Sequence, residues 1–142
     1  MRHVIFQIEK ERYGLSLDAV REVFSPPTVF SRVPAAPPPI RGVINLRGRV
    51  VTVIDLRMLL GLPGGEARGE KIILLDQGRR DLGLLVTEVE GIESLDKITP
   101  SAGRTTPAIR GVARLGRFAI TILDIEGING AVTALFPKRL TG

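Results

Sequence analysis

The sequence predicts an all-β protein built from two small barrels, and three observations carry that expectation. Apolar residues come in short, β-branched runs separated by Gly- and Pro-rich turns. Long stretches of helical periodicity are absent. The 142-residue chain also repeats itself at an offset of 69. At that offset IRGVINLRGRVVTVIDL, from Ile40 to Leu56, lies on IRGVARLGRFAITILDI, from Ile109 to Ile125, with seven of seventeen positions identical. Val4, Ile5, Phe6, Tyr13, Leu15, Leu17, Val20 and Val23 fall on Ile73, Leu74, Leu75, Leu82, Leu84, Val86, Val89 and Ile92, so every partner stays apolar.

Each half is too small to bury a large core alone, so the two are expected to pack together. The division falls in the Gly-rich stretch LPGGEARGE, giving modules 1–68 and 69–142 whose terminal strands can exchange. In the first half VIFQI is a strand, and KERYG turns into YGLSL, where Tyr13, Leu15 and Leu17 share a face. Asp18 opens a turn expected to carry Val20 and Val23 inward. PPTVFSRVPAAPPP cannot be a central strand, because Pro donates no ladder hydrogen bond. RGVINL, a Gly48-Arg49 turn and VVTVIDL form a hairpin. DLRMLLG reads as a short helix from an Asp55 N-cap to a Gly61 C′. The end, INGAVTALFPKRLTG, is compatible with a closing strand or a helix.

Composition removes several kinds of chemistry. Without Cys there is no disulfide framework and no thiolate nucleophile. A single His, His3, offers few routes to a metal site or a Ser–His pair, and it is expected on the surface. No apolar run approaches the roughly 18 residues of a membrane span, and no signal-peptide pattern opens the chain, which suggests a cytoplasmic protein without membrane insertion. The net charge of +5 invites a nucleic-acid reading. Its surplus is local, however: between Arg32 and Arg57 five Arg face the single acid Asp55. Basic runs interleaved with aromatics are missing, so a stacking groove for nucleic acid is disfavoured.

Asp55 and Asp124 tempt toward paired-carboxylate catalysis, but each ends an apolar strand at the same place in its own half. Capping of the following N–H groups accounts for both. LPGGEARGEK lacks the order of a phosphate-binding loop and reads as a connector. Arg47 and Glu22 differ in kind, because their repeat partners are Gly116 and Gly91, so the fold does not demand a charge there. Both are candidate binding residues, with Arg47 suited to a partner carboxylate.

Y-G-L-S-L-x-x-V-R-E-V from Tyr13, V-P-A-A-P-P-P-I-R-G-V-I-N-L-R-G from Val33 and V-V-T-V-I-D-L-R from Val50 resemble the CheW family of chemotaxis coupling proteins. KIILL, LGLLVTEVEGI and IRGV before ITILDI extend the resemblance to Ile125. It implies two tandem SH3-like five-stranded barrels packed side by side, with short helical turns. It also implies a protein that is not an enzyme, needs no cofactor and binds no nucleic acid. Such a protein bridges the cytoplasmic tips of bacterial chemoreceptors and the regulatory domain of the histidine kinase CheA, and is recruited to membrane-associated receptor arrays. By the same resemblance Glu22 and Arg47 match receptor-binding positions, and a groove holding Val86 and Val89 receives the receptor helix. Val20, Arg41, Gly42 and Leu46 match kinase-binding positions. Two departures are Thr52, where the family often has Pro, and Arg114, which stands where the first half has Asn45. A pilus-type sensory system is the alternative setting, and a basic nucleic-acid-binding barrel the more distant one.

Overall fold

A computed structural model of the chain describes residues 1–27, 30–62, 71–76, 81–100 and 106–136. Most of the expected connector, 63–70, and the last residues, 137–142, lie outside the described residues. The ten strands are β1 (Arg2–Ile8), β2 (Glu11–Ser16), β3 (Val20–Phe24), β4 (Ile40–Leu46), β5 (Arg49–Asp55), β6 (Lys71–Leu75), β7 (Leu82–Val86), β8 (Glu88–Ser94), β9 (Ile109–Leu115) and β10 (Phe118–Leu123). A single 3-10 turn, Leu17–Ala19, joins β2 to β3. Helix α1 (Leu56–Leu59) is one turn long, and α2 (Ile125–Leu135) resolves the open reading of the C-terminal segment as a helix.

The strands form two five-stranded sheets, ordered β8-β1-β2-β10-β9 and β3-β6-β7-β5-β4. Under the repeat, β1 to β5 correspond to β6 to β10, so both sheets have the same internal order. Neither sheet respects the 68/69 division. Each takes the first two strands of one repeat and the last three of the other. The junctions are parallel, Thr121 opposite Tyr13 in one sheet and Thr52 opposite Leu82 in the other. The sheets are of the SH3-like barrel type but open: among the described residues no ladder joins β8 to β9 or β3 to β4.

This exchange explains why β1 and β6 are buried on both faces. Ile5 points into the first sheet's own interior with Ile120, Ile122 and Ala113. Ile72 and Leu74 do the same in the second sheet with Val51, Val53 and Leu85. Alternate residues, Phe6, Ile8, Ile73 and Leu75, meet Tyr13, Leu15, Ile54, Leu84 and Val86 in the cluster between the sheets. Phe6 and Tyr13 stack there at 5.8 Å between ring centroids. Each such side chain, fully buried, contributes about 1.5–3 kcal/mol. Helix α2 covers this cluster with Ile128 and Val132, four apart on one face. Its first turn sits so close that a Cβ on Gly127 would lie 2.1 Å from the Pro107 carbonyl oxygen.

Both Asp residues are helix caps. Asp55 accepts from the Met58 N–H at 3.2 Å, and Asp124 accepts from Glu126 and Gly127 at 2.9 and 3.3 Å. Gly61, at φ +68, follows α1 in the left-handed conformation that ends it. Two expectations are corrected. Val23 is 39% exposed, because Val20 and Val23 are three apart and a strand shows the same face only every second residue. His3 is buried, not on the surface, because β8 from the other repeat pairs with β1 on the side away from β2.

The His3 Nδ1–H donates to the Met1 carbonyl oxygen at 3.1 Å, while Nε2 is buried with no hydrogen-bond partner among the described residues. Burial holds the ring below its ordinary value of 6.5, with the N-terminal ammonium and Arg110 acting in the same direction. Glu93 is its register partner on β8 and Ser16 on β2.

Three outcomes follow from this arrangement. Because His3 binds protons more weakly folded than unfolded, its contribution to stability is complete above pH 6.5 and declines as the pH falls toward the folded value. His3→Ile, which copies its repeat partner Ile72, removes that dependence, as read from melting temperatures between about pH 7.5 and 5.5. Asp124→Ala costs about 1 kcal/mol as a lost cap, and Asp55→Ala roughly 2–3 kcal/mol because it also strips the buried partner from Arg41. Fragments 1–69 and 70–142, expressed apart, give circular dichroism without cooperative unfolding and regain it on mixing, since neither holds a complete sheet.

Candidate functional site

The β4–β5 hairpin turns on Arg47 and Gly48, one residue earlier than the sequence suggests, with Leu46 paired to Arg49. Both turn residues have positive φ, +52 and +84, and the Asn45 side-chain oxygen accepts from the Gly48 N–H at 2.9 Å. That is the backbone twist a two-residue hairpin favours. For Arg47 it costs about 1 kcal/mol relative to glycine. Its repeat partner Gly116, at φ +62, avoids the cost. The fold would therefore be better served by glycine, and the Arg47 side chain is present despite the backbone.

That side chain, 67% exposed, forms an ion pair with Glu22 on β3. The two strands are opposite edges of the second sheet, so the pair crosses the sheet's open seam. The two residues singled out by their missing repeat partners are thus brought together. Sequence alone gives no sign of this, since they are 25 positions apart.

The remaining candidates separate by burial. Val20 and Leu46 are half-buried, Val20 against the central cluster and Leu46 against the second sheet's interior. Arg41 lies 3.5 Å from the buried Asp55, and Arg110 repeats the contact with Asp124 at 3.6 Å. Arg41 therefore has a duty common to both halves. Gly42 is buried beneath Ser31, whose carbonyl oxygen would be 2.7 Å from an added Cβ. It lets the incoming segment bridge from Ser31 to Val43. Val86 and Val89, the two groove candidates, differ in exposure. Val86 is fully buried between the sheets and presents no surface, whereas Val89 packs half-buried at the edge of the same cluster.

Part of the basic surplus around Arg47 meets acids from elsewhere in the chain. Arg49 makes a two-bond contact with Asp81 at 2.9 and 2.8 Å. Arg21 binds Asp76 at 2.9 Å and approaches Asp81 at 3.9 Å. With Arg41 on Asp55 and Arg47 on Glu22, at least three of the five Arg between 32 and 57 have acids beside them among the described residues. Two of those acids, Glu22 and Asp81, come from outside that segment, and Asp81 comes from the other half of the chain. The first sheet carries the same cluster with its charges reversed. Arg12 and Glu90, the repeat partners of Asp81 and Arg21, pair at 3.0 Å, and Arg12 lies 3.8 Å above the Phe118 ring. Among the described residues no group of three or more His, Asp or Glu side chains is arranged to hold a metal ion. No helix among them is long and apolar enough to cross a membrane.

The CheW-like domain family matches residues 2–132. The chemotaxis protein CheW of Klebsiella aerogenes is 32% identical over 130 residues, spanning 87% of this chain and 78% of its own. The chemotaxis protein CheW of Rhizobium meliloti is 34% identical over 129 residues, spanning 87% and 77%. The crystal structure of the scaffolding protein TtCheW from Thermoanaerobacter tengcongensis matches the fold with a TM-score of 0.75 at 30% identity, over 87% of this chain and 88% of that one. The exchanged pair of SH3-like sheets, the NLRG hairpin tip and a match running nearly end to end lead to one family: this chain belongs to the CheW-like domain proteins.

Proposed function

We propose that this chain is a non-enzymatic adaptor that couples bacterial chemoreceptors to the histidine kinase CheA, working in the cytoplasm where receptor arrays assemble. The observation that carries this reading is the Glu22–Arg47 pair: two charges the repeat omits, joined at an exposed edge, one of them on strained backbone. The relatives that bear chemotaxis names, and one called a scaffolding protein, support it. Glu22 and Arg47, with Val89 beside the intersheet cluster, face the receptor helix and fix its register by charge. Val20, Arg41 and Leu46 face the kinase, and Gly42 serves that surface by seating the segment that crosses β4. Val86 supports the receptor side only from beneath.

Coupling requires that the adaptor's contacts differ between the kinase-on and kinase-off arrangements, since equal affinity for both transmits nothing. An ion pair at a sheet's seam is suited to such a change, because it exchanges one carboxylate for another at little cost. A surface pair of this kind is worth only about 0–1 kcal/mol internally. Arg47→Glu is therefore expected to leave the melting temperature nearly unchanged and kinase binding intact. It weakens co-sedimentation with receptor-bearing membranes by about tenfold or more. Sedimentation at the level of the unsubstituted protein would remove Arg47 from the receptor surface.

A further inference from the structure

The two sheets are built on one plan, so what fills the seam of one shows what is missing from the other. In the second sheet Phe24, opposite Ile72, and Phe30, just before the Ser31 bridge, pack with Leu46 onto Ile44. The Glu22–Arg47 pair spans the same seam from β3 to the β4–β5 turn. In the first sheet the position opposite His3 is Glu93 in place of Phe24, and the residue before the Thr99 bridge is Ile98 in place of Phe30. Ala113 stands for Ile44, and Gly91 and Gly116 replace the Glu22–Arg47 pair. Leu95 and Ile98 take up part of the room those rings fill, packing with Ala113, and the described residues leave the rest of the seam open. A cavity of about 350 Å³ lies between β9 and the segment after β8, with Leu95, Ala113 and Leu115 on its wall. A second, of about 180 Å³, lies on the other side of Leu115 and is lined by Gly91 and Glu93.

We propose that the larger cleft is a docking site for a bulky aromatic side chain on an extended, acidic segment of a partner protein. This deepens the adaptor reading and rests on it for the occupant being a protein. The aromatic component follows from the internal template, since two Phe rings and Ile44 occupy the equivalent seam where this one holds the smaller Leu95, Ile98 and Ala113. The acidic component follows from the rim. Among the described residues that line the cleft, Lys97 and Arg114 are exposed cations and Asp96 is the one acid, itself 3.4 Å from the N-terminal ammonium. Arg114 stands where the first half has Asn45, so this cation is specific to the open side. A side chain inserted here would restore the packing that the second sheet achieves with its own residues.

The chain contains no Trp, so the emission of a Trp-bearing peptide reports the bound state without background. The probe is a capped hexapeptide with one tryptophan among glutamates, titrated into the full chain. A saturable blue shift is expected, weaker by about tenfold or more with lysines in place of the glutamates or alanine in place of the tryptophan. Ala113→Ile refills the cleft as Ile44 does in the other sheet, so it abolishes the shift while the melting temperature holds or rises. Should that variant fail to fold, Ala113→Val makes the same test with less added volume. Arg114→Glu reverses the preference toward the lysine peptide. No shift up to about 1 mM peptide, or a shift unchanged in the folded refilled variant, overturns the proposal. So does a shift lost in Arg47→Glu instead. Receptor and kinase binding, measured on the same samples, separate the two readings. Coupling without peptide capture removes the cleft and leaves the adaptor; peptide capture without receptor or kinase binding does the reverse.

Discussion

Burial of both faces of β1 and β6 is the constraint on which the rest of the structure depends. A strand can be apolar on two faces only if it has a core on each side. Here one core is the interior of its own sheet, and the other is the cluster centred on Phe6, Tyr13, Ile54, Ile73 and Leu84. That requirement holds the two sheets together. It also makes the strand exchange productive, because β1–β2 and β6–β7 each complete a sheet whose other three strands come from the opposite repeat. A half-chain of about 69 residues gains its core only through the other half.

With the frame set by duplicated positions, the two copies are free to differ wherever the core is not involved. The differences lie along the seams where each sheet fails to close. One seam is latched by Glu22 and Arg47 and holds Phe24 and Phe30. The other has Gly91, Gly116, Glu93 and Ala113 at the matching places and stays partly open. Even the ion-pair clusters at the hairpin ends have opposite charge arrangements, Arg21 with Asp81 against Glu90 with Arg12. The two seams are thus unlike surfaces built on one duplicated frame.

Much of this was legible in the chain itself. The offset repeat, the hairpin before Arg47 and the capping roles of Asp55 and Asp124 each rest on local spacing, and local spacing acts within a few residues. The asymmetry of Glu22 and Arg47 was also readable, though not their contact. The corrected expectations have different causes. His3 owes its burial to β8, a strand paired from the other repeat, whereas the inward reading of Val23 rests on a spacing suited to a helix. Part of the Arg surplus looked uncompensated because Glu22 and Asp81 approach from distant parts of the chain.

The sequence by itself determined the repeat, the β4–β5 hairpin to within a residue, the capping by Asp55 and Asp124 and which positions are apolar. These depend on backbone preferences and on side-chain alternation along one segment. Only the tertiary structure decided which strands became neighbours, and hence that the repeats exchange strands and that one seam is latched and the other partly open. Alternation tells a strand which face to bury but not against which partner, because the hydrophobic effect is non-directional and several pairings bury similar area. The choice is made by the whole set of contacts at once, above all by two sheets that must share one core.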